Sequence, residues 1–211
     1  PGSGKTRCVL FYYRMLLLNK EVDNIYIIGP VSCHSSWKDE YAKIFNKSPN
    51  TLILSGGNPK HRKSKYHNVS SADLILSTYP TASNDNREVA MMLKQNRTLM
   101  VIDEAHYIKN PEGNWSSAIL NISVNASYRI ALTGTPMPQS YADIYSIVDY
   151  ISPINSIITS KERLLLDERY KLKDFVYIKD KLASILSPHY YRVTKKDLKL
   201  KEQDSSFISV T

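Results

Sequence analysis

The chain has 211 residues, 42% of them hydrophobic, enough for one substantial domain with a packed core and room for a small appendage. Its formal net charge of +8 suits a polyanionic partner, although the abundance of Lys, Asn, Ile and Tyr is also what base composition alone would produce. No apolar run is long enough to cross a membrane and no signal peptide is visible; the two cysteines, Cys8 and Cys33, have no metal-type spacing and fit a reduced intracellular protein.

The chain opens with Pro1-Gly2-Ser3-Gly4-Lys5-Thr6. A phosphate loop reads G-x-x-x-x-G-K-[ST], after a strand and before a helix. Gly4, Lys5 and Thr6 fill its last three places, so its first glycine would lie two residues upstream of Pro1. The sequence is therefore expected to be a piece of a longer protein that starts inside the motif, with the preceding strand left out. In such a loop the glycines turn successive backbone N–H groups onto phosphate oxygens, and the next helix adds its positive end. Lys5 would neutralise the terminal phosphates and the Thr6 hydroxyl would bind magnesium. Taken alone, the hexapeptide also reads as a flexible, glycine-rich start before a helix.

A helix is predicted from Thr6 to Leu18, largely buried, with Leu10, Met15 and Leu17 as core. Ile25 to Ile28 reads as a buried strand closed by Gly29-Pro30. A second helix begins near Ser35-Ser36, where either serine would cap it. It carries Trp37, Tyr41, Ile44 and Phe45 at helical spacing, and the Trp37 ring reads as core. Thr51 to Leu54 is another strand. Ser55 to His67, with Lys60, Arg62, Lys63 and Lys65, reads as a solvated loop followed by a helix turn. Leu74 to Ser77 is a strand ending at Thr78 and Tyr79. Asn84 to Asn96 reads as one helix with Val89, Met92 and Leu93 inward.

Met100-Val101-Ile102-Asp103-Glu104-Ala105-His106 follows. Apolar residues running into two carboxylates suggest a strand buried on both faces with charge at its carboxyl edge, where open α/β sheets hold their ligands. A buried acidic pair needs a partner, and a cation with a reacting phosphate supplies one. A strand ending in a solvated acidic turn is the alternative. Asn114 to Leu120 is predicted helical, and Tyr128 to Leu132 a strand ending in Thr133-Gly134-Thr135-Pro136. Alternating strands and helices predict a parallel sheet covered on both faces. After Pro153 the composition shifts. Ser160 to Leu186 is charged and helical, with Leu164, Leu165, Phe175, Ile178, Leu182 and Ile185 as its apolar positions. Ser206 to Val210 reads as a terminal strand or an unanchored terminus.

The phosphate loop, Asp103-Glu104 and Thr133-Gly134-Thr135 stand in order after presumed strands, so all three can meet on one sheet edge. Here the chain resembles the superfamily-two helicase-like ATPases, and among them the Swi/Snf-type DNA translocases. Asp103-Glu104-Ala105-His106-Tyr107-Ile108-Lys109-Asn110 looks like that family's DEAH-type motif with its Ile-Lys-Asn extension. Pro30, Ser32, Trp37, Glu40, Tyr41, Lys43 and Phe45 resemble the segment after its second strand. Leu132-Thr133-Gly134-Thr135-Pro136 is similar to its third motif, and Asp143 to Val148 to the helix beyond. Arg192 and Thr194 to Leu198 resemble its basic segment toward a second lobe. Pro138-Gln139 and Val193 depart from the family pattern, which bears on coupling between lobes rather than on nucleotide binding.

The resemblance implies an amino-terminal RecA-like lobe over residues 1–153, a helical insertion over 154–198 that projects from the sheet, and a segment over 199–211 leading to a second lobe. It implies ATP and Mg2+ as ligands and duplex DNA as partner. Pro1 to Thr6 would cradle ATP, Thr6 and Asp103 would hold the metal, and Glu104 would orient or deprotonate the attacking water. His106 and Thr133-Gly134-Thr135 would relay nucleotide state, although His106 also reads as a packing residue. Ser36, Thr78, Tyr79, Lys109 and Asn110 would meet the nucleic acid backbone. In this family an arginine from the second lobe completes the site, a contribution of roughly 10³ to 10⁵ in rate. The chain alone is thus expected to hydrolyse ATP barely or not at all. A strand-separating helicase, a restriction-type motor subunit and a non-hydrolysing nucleotide-gated module are the competing readings.

Overall fold

The computed structural model describes residues 4–134 and 140–190. Pro1, Gly2, Ser3, Thr135, Arg192 and the terminal strand expected at Ser206 to Val210 lie outside these residues.

Five strands form one parallel sheet: β1 (Asn24–Ile28), β2 (Thr51–Ile53), β3 (Leu74–Ser77), β4 (Thr98–Asp103) and β5 (Tyr128–Leu132), in the order β2-β3-β1-β4-β5. The three central strands are buried along their whole length. Successive side chains on a strand point to opposite faces, and the two cores divide accordingly. Ile25, Ile27, Leu74, Leu76, Leu99 and Val101 face one helical layer, with Leu10, Tyr13, Leu16, Trp37 and Tyr41. Tyr26, Ile28, Ile75, Met100 and Ile102 face the other, with Tyr79, Val89, Met92, Ile119, Ile147 and Tyr150. Each fully buried aliphatic side chain stabilises the fold by about 1.5–3 kcal/mol, so the two-sided burial of β1 and β4 pins their register. This is the parallel sheet covered on both faces that the alternating pattern predicts, and the RecA-like architecture that the resemblance implies.

The first layer holds α1 (Lys5–Leu18) and α2 (His34–Phe45). Leu10 of α1 is core, but Met15 points outward and Leu17 is only partly buried; Val9, Tyr13 and Leu16 take the inner face. The helix is apolar nearly all round, so its sequence does not reveal which stripe meets the sheet. Neither Ser35 nor Ser36 caps α2, which grows directly out of a 3-10 turn over Val31–Cys33.

On the other face, the helix turn expected after a solvated loop between 55 and 67 is a full short helix, α3 (Pro59–Lys65). Asn58 caps it by accepting a hydrogen bond from the Lys60 N–H at 2.9 Å, and Pro59 sits where a first-turn proline fits. Arg62 is buried, contrary to a solvated basic run, because its guanidinium grips Asp85 at 2.6 and 2.8 Å. The helix expected from 84 to 96 is α5 (Asn86–Gln95), with Val89, Met92 and Leu93 inward as expected; Asp85 separates it from a short helix not expected from the sequence, α4 (Tyr79–Asn84). α6 (Asn114–Ser123) and α7 (Ile144–Ile151) complete the layer.

Two helices follow, α8 (Ser160–Lys171) and α9 (Phe175–Leu186). Thr159 and Glu162 form a capping box at the start of α8, and Asp174 caps α9. Leu166, Ile178, Leu182 and Leu186 join the core. Leu164 and Phe175, expected inside, are exposed. Leu164, Leu165 and Leu166 are about 100° apart around the helix, so they cannot all face one seam, and Phe175 meets Tyr170 edge-on, 5.8 Å between ring centres. Arg163 ties α8 to α7 through Asp149 at 2.5 Å and lies over the Tyr145 ring.

Candidate functional site

A parallel sheet sends every strand's carboxyl end to one edge, so the loops after the strands become neighbours whatever their separation in sequence. The strand order sets Thr78 after β3, the turn leading to Ser36 after β1, Asp103-Glu104 after β4 and Thr133-Gly134 after β5 side by side. Asp103 pairs with Leu132 in the β4–β5 register, directly before Thr133.

The start of α1 reaches this edge as well. The far end of α1 lies at the amino ends of the strands. There Tyr13 Oη donates to the Asp73 carbonyl just before β3, at 3.1 Å. Arg97, just before β4, donates to the Lys20 carbonyl at 2.5 Å, and Tyr128 at the head of β5 donates to Glu21. α1 has 14 residues and β4 has six, so each spans about 20 Å. Gly4, Lys5 and Thr6 therefore stand level with the carboxyl ends of the strands. Gly4 adopts φ 74°, a left-handed entry that glycine takes without strain. One turn further on, Arg7 pairs with Glu40 of α2 at 3.1 Å, a surface contact between the start of α1 and α2.

Asp103 is the best-held group on the edge. It is 9% exposed. Its Oδ1 accepts the Glu104 backbone N–H at 3.0 Å, and its Oδ2 accepts the Trp37 indole N–H at 3.0 Å. Its carbonyl accepts the Tyr79 hydroxyl at 2.9 Å. The floor beneath is tight: a Cβ on Gly29 would sit 2.9 Å from Cys33 Sγ and 3.1 Å from Asp103 Cβ. Burial first, and then the Asp103 charge, push the Cys33 thiol up to about 12.

Glu104 adopts φ 56° and ψ 52°, the left-handed region, which costs a non-glycine residue roughly 1–2 kcal/mol. The bend leaves the Asp103 carboxylate in the protein and turns the Glu104 side chain outward, 42% exposed. His106 Nδ1 lies 3.2 Å from Glu104 Oε2, near enough for charge pairing once the ring is protonated, but the approach is not aligned as a hydrogen bond. The His106 ring stacks on Tyr107, which leans on Tyr79 and Trp115.

Of the residues expected to meet nucleic acid, Ser36 and Asn110 are exposed and Thr78 and Lys109 are half-buried, all on this edge. Tyr79 is different: it is 2% exposed, with its hydroxyl on the β4 backbone, and it supports Asp103 from below instead of facing solvent. Thr78 Oγ1 is occupied in capping α4. Asn110 Oδ1 accepts the Glu112 N–H at 3.1 Å, which shapes the loop after the acidic pair.

Among the described residues no three His, Cys, Asp or Glu side chains cluster as a metal cage. One buried carboxylate beside a helix start is how magnesium is usually held, with substrate phosphates and water filling the remaining positions. The sequence pointed to Asp103 and Glu104 but not to the indole bond on Asp103. Trp37 is 66 residues away and is marked only by its place in the segment after the second strand.

A doubly covered parallel sheet with a glycine-led helix start, an acidic pair and a Thr-Gly turn on one edge defines the RecA-like class of lobe. The comparisons with known proteins narrow it. The chain belongs to the SNF2-related domain family, whose profile matches residues 1–210. It is 27% identical over 216 residues to the transcription regulatory protein SNF2 of Saccharomyces cerevisiae, across 93% of this chain and 12% of that protein. It is 31% identical over 130 residues to the TATA-binding protein-associated factor MOT1 of the same yeast, across 60% of this chain and 6% of that protein. Among solved structures it is similar to the Sulfolobus solfataricus SWI2/SNF2 ATPase core in complex with dsDNA. That match has a TM-score of 0.73 and 28% identity, and covers 94% of this chain and 40% of that one. The chain thus spans less than half the length of each of these three.

Proposed function

We propose that this chain is the amino-terminal, ATP-binding lobe of an ATP-dependent motor that moves on duplex DNA. The observation that carries this reading is the meeting of the α1 start, Asp103-Glu104 and Thr133-Gly134 on one sheet edge. Residues 1–153 form the lobe, 154–198 a helical insertion, and 199–211 lead toward a second RecA-like lobe that completes the site. The dsDNA-bound Sulfolobus neighbour supports duplex DNA as the track.

Phosphoryl transfer needs positioning and charge neutralisation more than covalent chemistry. In this reading the Pro1 to Thr6 loop cradles the phosphates and Lys5 neutralises the terminal ones. Thr6 and Asp103 hold Mg2+ through a hydroxyl and a carboxylate, hard oxygen donors that suit that ion. When bound, the metal screens charge on the terminal phosphates. Glu104, turned outward by its left-handed backbone, orients the attacking water and takes its proton. His106, 3.2 Å from Glu104 and stacked on Tyr107, and Thr133-Gly134-Thr135 relay the state of the site. Ser36, Thr78, Lys109 and Asn110 meet backbone phosphates along the same edge. Such contacts are independent of sequence and weaken with salt.

The test is ATP turnover by the full-length protein with duplex, single-stranded or no DNA. Duplex is expected to stimulate most, and Glu104→Gln to abolish the stimulated rate while nucleotide still binds. Undiminished turnover in Glu104→Gln contradicts the assignment, and strand displacement would move the reading to an unwinding helicase.

A further inference from the structure

The Trp37 ring is fully buried in the layer between α2 and the sheet. Packing explains the ring but not the direction of its N–H. A buried indole N–H usually finds a hydrogen-bond partner. Here it points to a carboxylate oxygen on the functional edge, 66 residues away and 3.0 Å distant. Hydrogen bonds to ionised acceptors are shorter and roughly twice as strong as neutral ones.

The two Asp103 oxygens are held by different means. Oδ1 is fixed by the turn that follows it, through the Glu104 N–H. Oδ2 is reached from another element, α2, through Trp37. The terminal torsion of an aspartate is broad, so its rotamer alone does not set the plane of the carboxylate. Two donors from two directions do set it. Glu40, one turn beyond Trp37 on α2, pairs with Arg7 on the first turns of α1. One helix therefore contacts both halves of the site, Asp103 by a buried hydrogen bond and α1 by a surface ion pair.

We propose that Trp37 is a positioning residue: its indole N–H fixes the plane of the Asp103 carboxylate for the metal and registers it against the start of α1. The proposal rests on the reading that Asp103 holds the Mg2+ of bound ATP. Partners that orient a metal-binding side chain contribute about 10–100-fold to metal affinity.

The test replaces the indole with benzothiophene, as β-(3-benzothienyl)alanine at position 37 of the full-length protein. This keeps the shape of the ring and removes the N–H. Binding of a fluorescent ATP analogue is followed as Mg2+ is titrated, beside a thermal melt. The expected result is about a tenfold rise in the Mg2+ needed for half-maximal binding, with Mg2+-free nucleotide binding and the melt unchanged. Trp37→Phe should give the same Mg2+ shift plus a lower melting temperature from the space it leaves. An isostere that titrates like the wild type overturns the proposal, as does one that lowers the melt without moving the Mg2+ curve. Asp103→Asn separates the two levels. If it loses the Mg2+ dependence while the isostere keeps it, only the role of Trp37 falls. If it keeps the dependence, the metal assignment falls first.

Discussion

Arg62→Met tests whether the basic segment after β2 is part of the folded core. The structure sets Arg62 Nε 2.6 Å from Asp85 Oδ2 and Nη2 2.8 Å from Oδ1, with Nη1 3.1 Å from the Gly56 carbonyl. Asp85 is 1% exposed. Removing the guanidinium strands a buried carboxylate, with the Tyr66 hydroxyl at 3.3 Å as a weak substitute. Removing one partner of a buried pair costs about 3–5 kcal/mol. At about 2–4 °C per kcal/mol for a chain of this size, the melting temperature should fall by roughly 6–20 °C. Urea unfolding followed by circular dichroism measures the change directly. Arg62→Met with Asp85→Leu should recover much of the loss, because an apolar pair of similar volume carries no desolvation penalty. A single variant within about 0.5 kcal/mol of wild type would mean that the pair behaves as a surface ion pair. A double variant no better than the single one would refute the stranded-charge argument.

Two further outcomes follow from the edge of the sheet. With the Cys33 thiol pushed up to about 12 by burial and the Asp103 charge, it stays protonated at pH 8. Iodoacetamide at that pH should label the exposed Cys8 and spare Cys33, read by peptide mass spectrometry; equal labelling contradicts the packing. Burial holds buried His34 below the ordinary imidazole range, with Lys38 adding to the effect and a contact to the Ser77 carbonyl opposing it. The unfolded chain therefore takes up a proton first, so the stability contributed by neutral His34 is complete above about pH 6.5 and is lost as pH falls below it. Urea midpoints between about pH 7.5 and 5 should fall more steeply for wild type than for His34→Gln, and parallel slopes would refute the assignment.

Much of the fold is legible in the sequence because a parallel sheet buried on both faces writes its strands as unbroken apolar runs. Ile25 to Ile28, Leu74 to Ser77 and Met100 to Ile102 are of this kind. The acidic pair is legible for a related reason, since charge at the end of such a run needs a function. What escaped the sequence is long-range. The Arg62–Asp85 pair spans 23 positions and draws one residue of a basic run into the core, while Lys60 and Lys63 stay exposed. The outward Met15 escaped because α1 is apolar on almost every side. Tyr79 stands among the nucleic-acid contacts that the resemblance implies, yet its hydroxyl is spent on the Asp103 carbonyl.

The central claim is that the start of α1 and the end of β4 share one metal–nucleotide pocket. Iron-mediated affinity cleavage tests it directly: Fe2+ replaces Mg2+ with ATP, and ascorbate with peroxide cuts the backbone beside the bound ion. Two cuts are expected, one beside Thr6 and one beside Asp103, both lost without nucleotide. Cleavage at only one of these places, or at neither, contradicts the account.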